Sequence, residues 1–124
     1  MDISVLLNPV KQEVIDGCGL NNPKQIGNTI CIYKDEAFFP RLEDFTLAII
    51  GVEEDRNSDD NEGCKDAPDS IRHALYPLFN HWPDLKVVDL GNVKTGFHVE
   101  DTYYALNQVF LTLLKYHIVP IIIG

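Results

Sequence analysis

The residues 53–66 hold seven carboxylates, the side chains best suited to binding a hard cation through oxygen. The segment follows an apolar run of strand length, and open α/β sheets place their ligands beyond the carboxyl ends of their strands. Four of its residues stand at the ligand offsets of an EF-hand loop: Asp55, Asn57, Asp59 and Asp66. However, Asp60 occupies the position that requires glycine, and a strand, not a helix, precedes the segment. Two interpretations therefore stay open, a cation site and a solvated acidic loop.

The other residue types capable of chemistry have weaker patterns. The four histidines lack any zinc-binding spacing, and a metal site is not expected at any of them: His73, His81, His98 and His117. No third glycine follows Gly17-Cys18-Gly19, and no Walker lysine follows Gly51, so a nucleotide site is not expected either. Cys64 has a neighbouring lysine but no partnered base, which indicates an ordinary loop thiol.

Composition excludes several classes of partner. The 124 residues suit a single domain, and 10 Lys and Arg against 19 Asp and Glu give a net charge of −9. That charge disfavours nucleic acid and anionic membranes, because phosphate contacts need clustered cations. No apolar stretch has the roughly 18 residues of a membrane span, and the first residues lack signal-peptide character. Three cysteines without metal-like spacing indicate reduced thiols, so we expect a cytoplasmic protein.

Alternating elements that position the acidic segment begin at residue 45. Apolar runs predict strands over 45–52, 85–90 and 117–124. Helical periodicity predicts helices over 68–80 and 100–116, with Ile71, Ala74, Leu75 and Leu78 on the inner face of the first. The inner face of the second is expected to contain Leu106, Val109, Phe110, Leu113 and Leu114.

This alternation predicts an α/β fold. We expect a three-layer βαβαβ unit with a parallel sheet, strand order 2-1-3 and right-handed crossovers. Residues 1–44 read as an irregular N-terminal segment with a short helical turn over 10–15 and a short strand over 29–33. Glu100 and Asp101 fall in the first turn of the second helix, where their charge stabilises the helix dipole.

Four motifs occur in order along residues 46–124. The first is the strand 47–52, which ends in Gly-Val before the acidic segment; the second is Asn-Glu-Gly at 61–63, followed by Ala-Pro-Asp-Ser-Ile-Arg at 67–72. The third is Val-Val-Asp-Leu-Gly-Asn at 87–92, and the fourth is Val-Pro-Ile-Ile-Ile-Gly at 119–124. Together they resemble the beginning of the arginase/ureohydrolase family, particularly its formimidoylglutamase-like branch.

The resemblance implies a metal-dependent hydrolase of a C–N bond in a guanidino or formimino compound, with two manganese ions activating a hydroxide. Its ligands come from Gly-Gly-x-His, Asp-x-His-x-Asp and Ser-x-Asp-x-Asp segments, and this chain contains no Asp-x-His-x-Asp. We therefore expect residues 45–124 to be the N-terminal part of an arginase-like domain, truncated before its metal ligands and inactive alone. No catalytic or metal-binding residue is predicted within the chain. The candidates for lining the substrate pocket of the whole protein are Asp55, Asn61 and Gly63.

Two alternatives stay open. One is a self-contained flavodoxin-like or receiver-like interaction domain without catalysis, whose acidic segment binds a cation or a basic partner. The other is an arginase-like protein that has lost its later ligands. For the truncated arginase-like domain, the apolar stretch 118–123 is expected to form an exposed strand edge, which predicts homo-oligomers through strand addition.

Overall fold

The elements predicted from residue 45 onward are all present in the computed structural model, which describes residues 2–56 and 63–124. Its strands are β1 Leu7–Asn8, β2 Cys31–Ile32, β3 Leu47–Val52, β4 Val87–Val93 and β5 Val119–Ile123. Its α-helices are α1 Gln12–Gly17, α2 Ile26–Thr29, α3 Ala67–Leu75 and α4 Val99–Lys115. Short 3-10 turns occupy Ile3–Leu6, Leu42–Asp44 and Cys64–Asp66. None of the helices described combines the length and the apolar character that crossing a bilayer requires.

The central strand is β3, which lies parallel to β4 on one side and to β5 on the other. This confirms the predicted order. The sheet is nevertheless mixed and five-stranded, because β1 pairs antiparallel with the end of β4 and β2 pairs parallel with its beginning. The short strand predicted over 29–33 is present as β2, although its pairing with β4 was not predicted. The other added strand, β1, has only two residues, too few to produce an alternation of polar and apolar residues in the sequence.

A β-bulge at Gly91 corrects one predicted boundary. The glycine was expected to end the second strand, but β4 continues to Val93. Ile49 aligns with Asp89 and Gly51 aligns with Asn92, so β4 contains one extra residue between the two pairs. Gly91 takes a φ of +77°, and a Cβ there would overlap the backbone oxygen of Asn8. The bulge returns Asn92 to the sheet face that carries Asp89.

The face of the sheet that α4 covers is apolar. Strand residues such as Ile50 and Leu90 pack against Val109 and Leu113 of the helix, and all four are at most 1% exposed. Of the five positions predicted for the inner face of α4, Val109 and Leu113 are the ones that lie fully buried, whereas Leu114 is 53% exposed. The segment before β3 contributes four further residues to this core: Ile3, Leu7, Tyr33 and Leu42.

The opposite face of the sheet is covered by α3, and here the predicted orientation is wrong. Ile71 and Leu78 were expected to be buried but are 38% and 56% exposed. The buried residues are Pro68, Arg72 and Tyr76. The helix also ends at Leu75, five residues before the predicted end, because Pro77 has no N–H with which to continue the helical hydrogen bonds.

Candidate functional site

The carboxyl ends of β3, β4 and β5 lie at one edge of the sheet, and we call this the carboxyl edge. Of the three candidate residues, Asp55 and Gly63 lie there in contact: the Gly63 N–H donates to Asp55 Oδ2 at 2.8 Å. Gly63 has a φ of +91°, a conformation that favours glycine. Asn61 lies outside the described residues, as do two of the four EF-hand offsets.

Glu54 and Arg56 form an ion pair at the base of the acidic segment. Arg56 Nε donates to Glu54 Oε2 at 2.8 Å, and its Nη2 donates to the other oxygen. The Thr102 hydroxyl donates to Glu54 Oε1 at 3.0 Å, and the glutamate side chain is only 4% exposed. The hydrogen bonds from Arg56, aided by that from Thr102, lower the pKa of Glu54 to about 2. The carboxylate is therefore ionised at neutral pH and held from two elements.

Glu53 is held from the neighbouring strand. The side-chain amide of Asn92 donates to Glu53 Oε1 at 2.8 Å, while its oxygen accepts from Arg72 Nη1 at 2.7 Å. Because Arg72 has only donors, the oxygen of Asn92 must face it, and the NH₂ group must face the carboxyl edge. A buried cation thus fixes the direction in which Asn92 offers its donor.

Arg72 and Asp89 form the centre of a buried polar network between α3 and the sheet. Both side chains are fully buried. Arg72 Nε and Nη2 donate to the two oxygens of Asp89 at 2.8 and 3.0 Å, and Nη2 also donates to Gly91 O at 2.9 Å. Tyr76 donates its hydroxyl to Asp89 Oδ2 at 2.5 Å. Among the residues described, no buried side-chain nitrogen or oxygen lacks a partner.

The electrostatics of this network keep Arg72 charged and Tyr76 protonated. Burial opposes the charge on Arg72, but the hydrogen bonds and the charge of Asp89 outweigh it, so its pKa is raised above the ordinary value. Burial, together with the charge of Asp89, raises the pKa of Tyr76, which therefore remains a hydrogen-bond donor. Arg72 and Tyr76 therefore act as buried hydrogen-bond donors that support the carboxyl edge.

Sequence reasoning missed this network, although a signal for it existed. Helical periodicity placed apolar residues on the inner face of α3 and left Arg72 unassigned. Arg72, Asp89, Gly91 and Asn92 nevertheless all stand in the second and third of the four motifs. The second motif contains one partner of the buried ion pair and the third motif contains the other, which indicates that both motifs are needed to form the same network.

At the start of α4 the predicted role of the acidic residues is confirmed for Asp101. Its Oδ2 accepts the backbone N–H of His98 at 2.9 Å, and this contact satisfies a donor just before the helix. His98 therefore lies at the N-cap position of α4.

The described residues do not fit a pair of manganese ions. Across 2–56 and 63–124, no group of three or more His, Cys, Asp or Glu lies close enough to hold a metal. Glu54 is engaged by Arg56, and Asp55 accepts the Gly63 N–H. The carboxyl edge thus supplies carboxylates held by hydrogen bonds, those of Glu53 and Asp55 by the neutral donors of Asn92 and Gly63.

Comparison with known proteins agrees with the arrangement of the main sheet. The family model described as Arginase family matches residues 45–124. Neither the curated proteins nor the solved structures include a significant match to the chain. The matched segment contains β3, α3, β4, α4 and β5, as well as the buried network. Since it spans well over half of the sequence, this chain belongs to the arginase family.

Proposed function

We propose that this chain forms the N-terminal part of a metal-dependent ureohydrolase that cleaves a C–N bond in a guanidino or formimino compound. The observation that carries the proposal is the family match over 45–124, the segment whose carboxyl edge holds Glu53 and Asp55, while Glu54 is buried against Arg56. A guanidinium or amidinium substrate is cationic, and clustered carboxylates increase its local concentration. We assign the formimidoylglutamase-like branch from the four motifs alone.

In such an enzyme, the metal ligands and the pocket wall would come from different segments. Two manganese ions would supply an activated water, and their ligands would lie in segments that these 124 residues do not contain, since Asp-x-His-x-Asp is absent from the sequence. This chain would supply part of the pocket wall, with Asp55, Asn61 and Gly63 at its mouth. Alone it would bind substrate weakly and turn over none.

A chimeric protein tests this proposal. Residues 1–124 would be joined to the ligand-bearing C-terminal region of an arginase-family enzyme. We expect manganese-dependent release of urea or formamide from the chimera and none from the 124 residues alone. Release by the 124 residues alone, or a chimera that folds by circular dichroism and is inactive with every linear amidine tried, would contradict the proposal. If the chimera does not fold, the coding sequence after codon 124 decides, because the proposal requires Gly-x-His and Asp-x-His-x-Asp in frame.

We also propose a second copy of the chain as a partner, through the outer edge of β5. Among the strands described, β5 pairs with β3 alone, and its apolar side chains are exposed: Val119 by 60%, Ile121 by 41% and Ile122 by 40%. An unpaired apolar edge favours strand addition. The net charge of −9 supports the proposal that nucleic acid and anionic membrane surfaces are not partners. The three cysteines, all free of disulfides in the structure, support the proposal that the protein is cytoplasmic. No contact among residues 2–56 and 63–124 favours the interaction-domain alternative over the hydrolase.

A further inference from the structure

We propose that Arg56 is a positioning residue that fixes Asp55 at the carboxyl edge by connecting β3 to the start of α4. The assignment of Asp55 to a substrate pocket rests on the proposed function, whereas the connection itself does not. The sequence analysis gave Arg56 no role, because the seven carboxylates around it led us to interpret the segment 53–66 only as an acidic one.

The guanidinium of Arg56 contacts two separate parts of the chain. Besides the two contacts with Glu54, Nη1 donates to Phe97 O at 2.7 Å and Nη2 donates to Gly96 O at 2.8 Å. These carbonyls belong to the connection between β4 and α4. A planar guanidinium has five N–H donors in a fixed arrangement, so one side chain can bind a carboxylate and two carbonyls at once.

Thr102 completes the connection from inside α4. Its hydroxyl donates to Glu54 Oε1 at 3.0 Å and accepts the Gly96 N–H at 2.9 Å, and the residue is fully buried. Arg56 Nη2 lies 3.4 Å from the same hydroxyl. The end of β3, the connection after β4 and the first turns of α4 thus share one hydrogen-bonded group.

Asp55 lies between the two members of the ion pair, and its position follows from theirs. With Glu54 and Arg56 both held, the backbone on either side of Asp55 is fixed, and its carboxylate meets the Gly63 N–H at 2.8 Å. Loss of the Arg56 contacts would release one side of Asp55 and with it the partner of the Gly63 N–H. The exchange rate of that amide hydrogen is therefore a direct measure of the positioning.

The chain contains a matched control. Arg41 and Glu43 have the same two-residue separation, with Arg41 Nε 2.9 Å from Glu43 Oε2, but their side chains are 74% and 50% exposed. Such a pair at the surface contributes little to structure. Arg41→Ala thus removes an Arg–Glu pair of equal spacing from a site that holds no candidate residue.

The experiment compares amide hydrogen exchange, resolved by NMR, in the unmodified 124-residue chain and in Arg56→Ala, Arg56→Lys and Arg41→Ala. For Arg56→Ala we expect exchange at Gly63 to accelerate about tenfold or more, with Ile50 and Leu90 unchanged, since a local opening leaves the core intact. Arg56→Lys should give an intermediate rate, because a lysine keeps the charge but cannot reach all three partners. Arg41→Ala should match the unmodified chain.

The proposal is overturned if Gly63 exchanges at the unmodified rate in Arg56→Ala, or if the core amides accelerate by the same factor as Gly63. In the active chimera, Arg56→Ala should raise KM about tenfold and leave kcat within about twofold, as for a residue that acts on substrate binding. A fall in kcat with unchanged KM would contradict the assignment of Asp55 to the pocket. An inactive chimera would count against the proposed function, while the exchange measurement would still decide whether Arg56 positions Asp55.

Discussion

Replacing Asp89 by asparagine removes one charge from the buried pair with Arg72 and barely changes the shape of the side chain. Each oxygen of Asp89 accepts two hydrogen bonds, Oδ1 from Arg72 Nη2 and the Gly91 N–H, and Oδ2 from Arg72 Nε and the Tyr76 hydroxyl. The amide nitrogen of asparagine accepts none of these bonds. Whichever way the amide turns, two donors lose their acceptor and Arg72 loses its counter-charge.

The magnitude follows from the complete burial of both partners. Removing one partner of a buried ion pair costs about 3–5 kcal/mol, because the remaining charge is left without compensation. Donors without an acceptor cost on the order of 1–3 kcal/mol each, but that penalty is largely contained in the first figure. We therefore expect a loss of about 4 kcal/mol from a total unfolding free energy of roughly 5–15 kcal/mol.

Urea denaturation followed by far-ultraviolet circular dichroism measures this loss. With an m-value of about 2 kcal/mol/M, the midpoint should fall by about 2 M. Glu43→Gln makes the same chemical change in an exposed Arg–Glu pair and should cost less than about 1 kcal/mol. Tyr76→Phe removes one of the hydrogen bonds to Asp89 and should cost about 1.5–3 kcal/mol. A loss below about 1 kcal/mol for Asp89→Asn is what an exposed ion pair would give, and it would refute the argument that Arg72 is left as a buried charge without a partner.

Three further predictions concern the carboxyl edge and β5. Gly51→Ala should destabilise the chain by about 1–3 kcal/mol in thermal unfolding because its Cβ would overlap Asn92 Oδ1, whereas Gly17→Ala, with nothing nearer than 3.9 Å, should be neutral or slightly stabilising. The folded-state pKa of Glu54 lies near 2, below its ordinary 4.5, so its contribution to stability is complete above about pH 4.5 and is lost as the pH falls toward 2. Glu54→Gln should therefore reduce the slope of the unfolding free energy against pH between those values. An unchanged slope would argue against the pairing with Arg56. Val119→Lys should weaken self-association in sedimentation velocity. An unmodified chain that stays monomeric at about 100 μM would exclude the β5 interface, because stable interfaces assemble well below such concentrations.

Much of the fold was readable because its signals are local. The continuous apolar runs of β3 and β5 and the periodicity of α4 each occupy one stretch of sequence, and the order of the strands follows from their alternation with helices. Asp55 and Gly63 lie beyond the carboxyl end of β3, where the local pattern located them, and their role in a substrate pocket stays a prediction. The end of α3 was also predictable from local sequence, because Pro77 lacks the N–H that would continue the helix.

The remaining features depend on contacts between distant segments. Arg72 is buried because Asp89 lies 17 residues further along, across the sheet, and hydrophobic periodicity assigns a charged residue to the surface. A glycine is required at position 91 because the backbone at Asn8 passes too close for a Cβ. The role of Arg56 depends on carbonyls 40 and 41 residues away. No pattern within a window of sequence contains these partners.

The pairing on the outer side of β4 shows that the sheet includes residues that the family match does not cover. Family similarity begins at residue 45, yet Leu7–Asn8 and Cys31–Ile32 cover successive halves of the same strand edge, and Tyr33 and Leu42 complete the core beneath it. A polypeptide trimmed to the boundaries of the family would open β4 to solvent and to other chains while β5 is also unpaired. The residues that cover the outer edge of β4 therefore lie outside the segment by which the family of this chain is recognised.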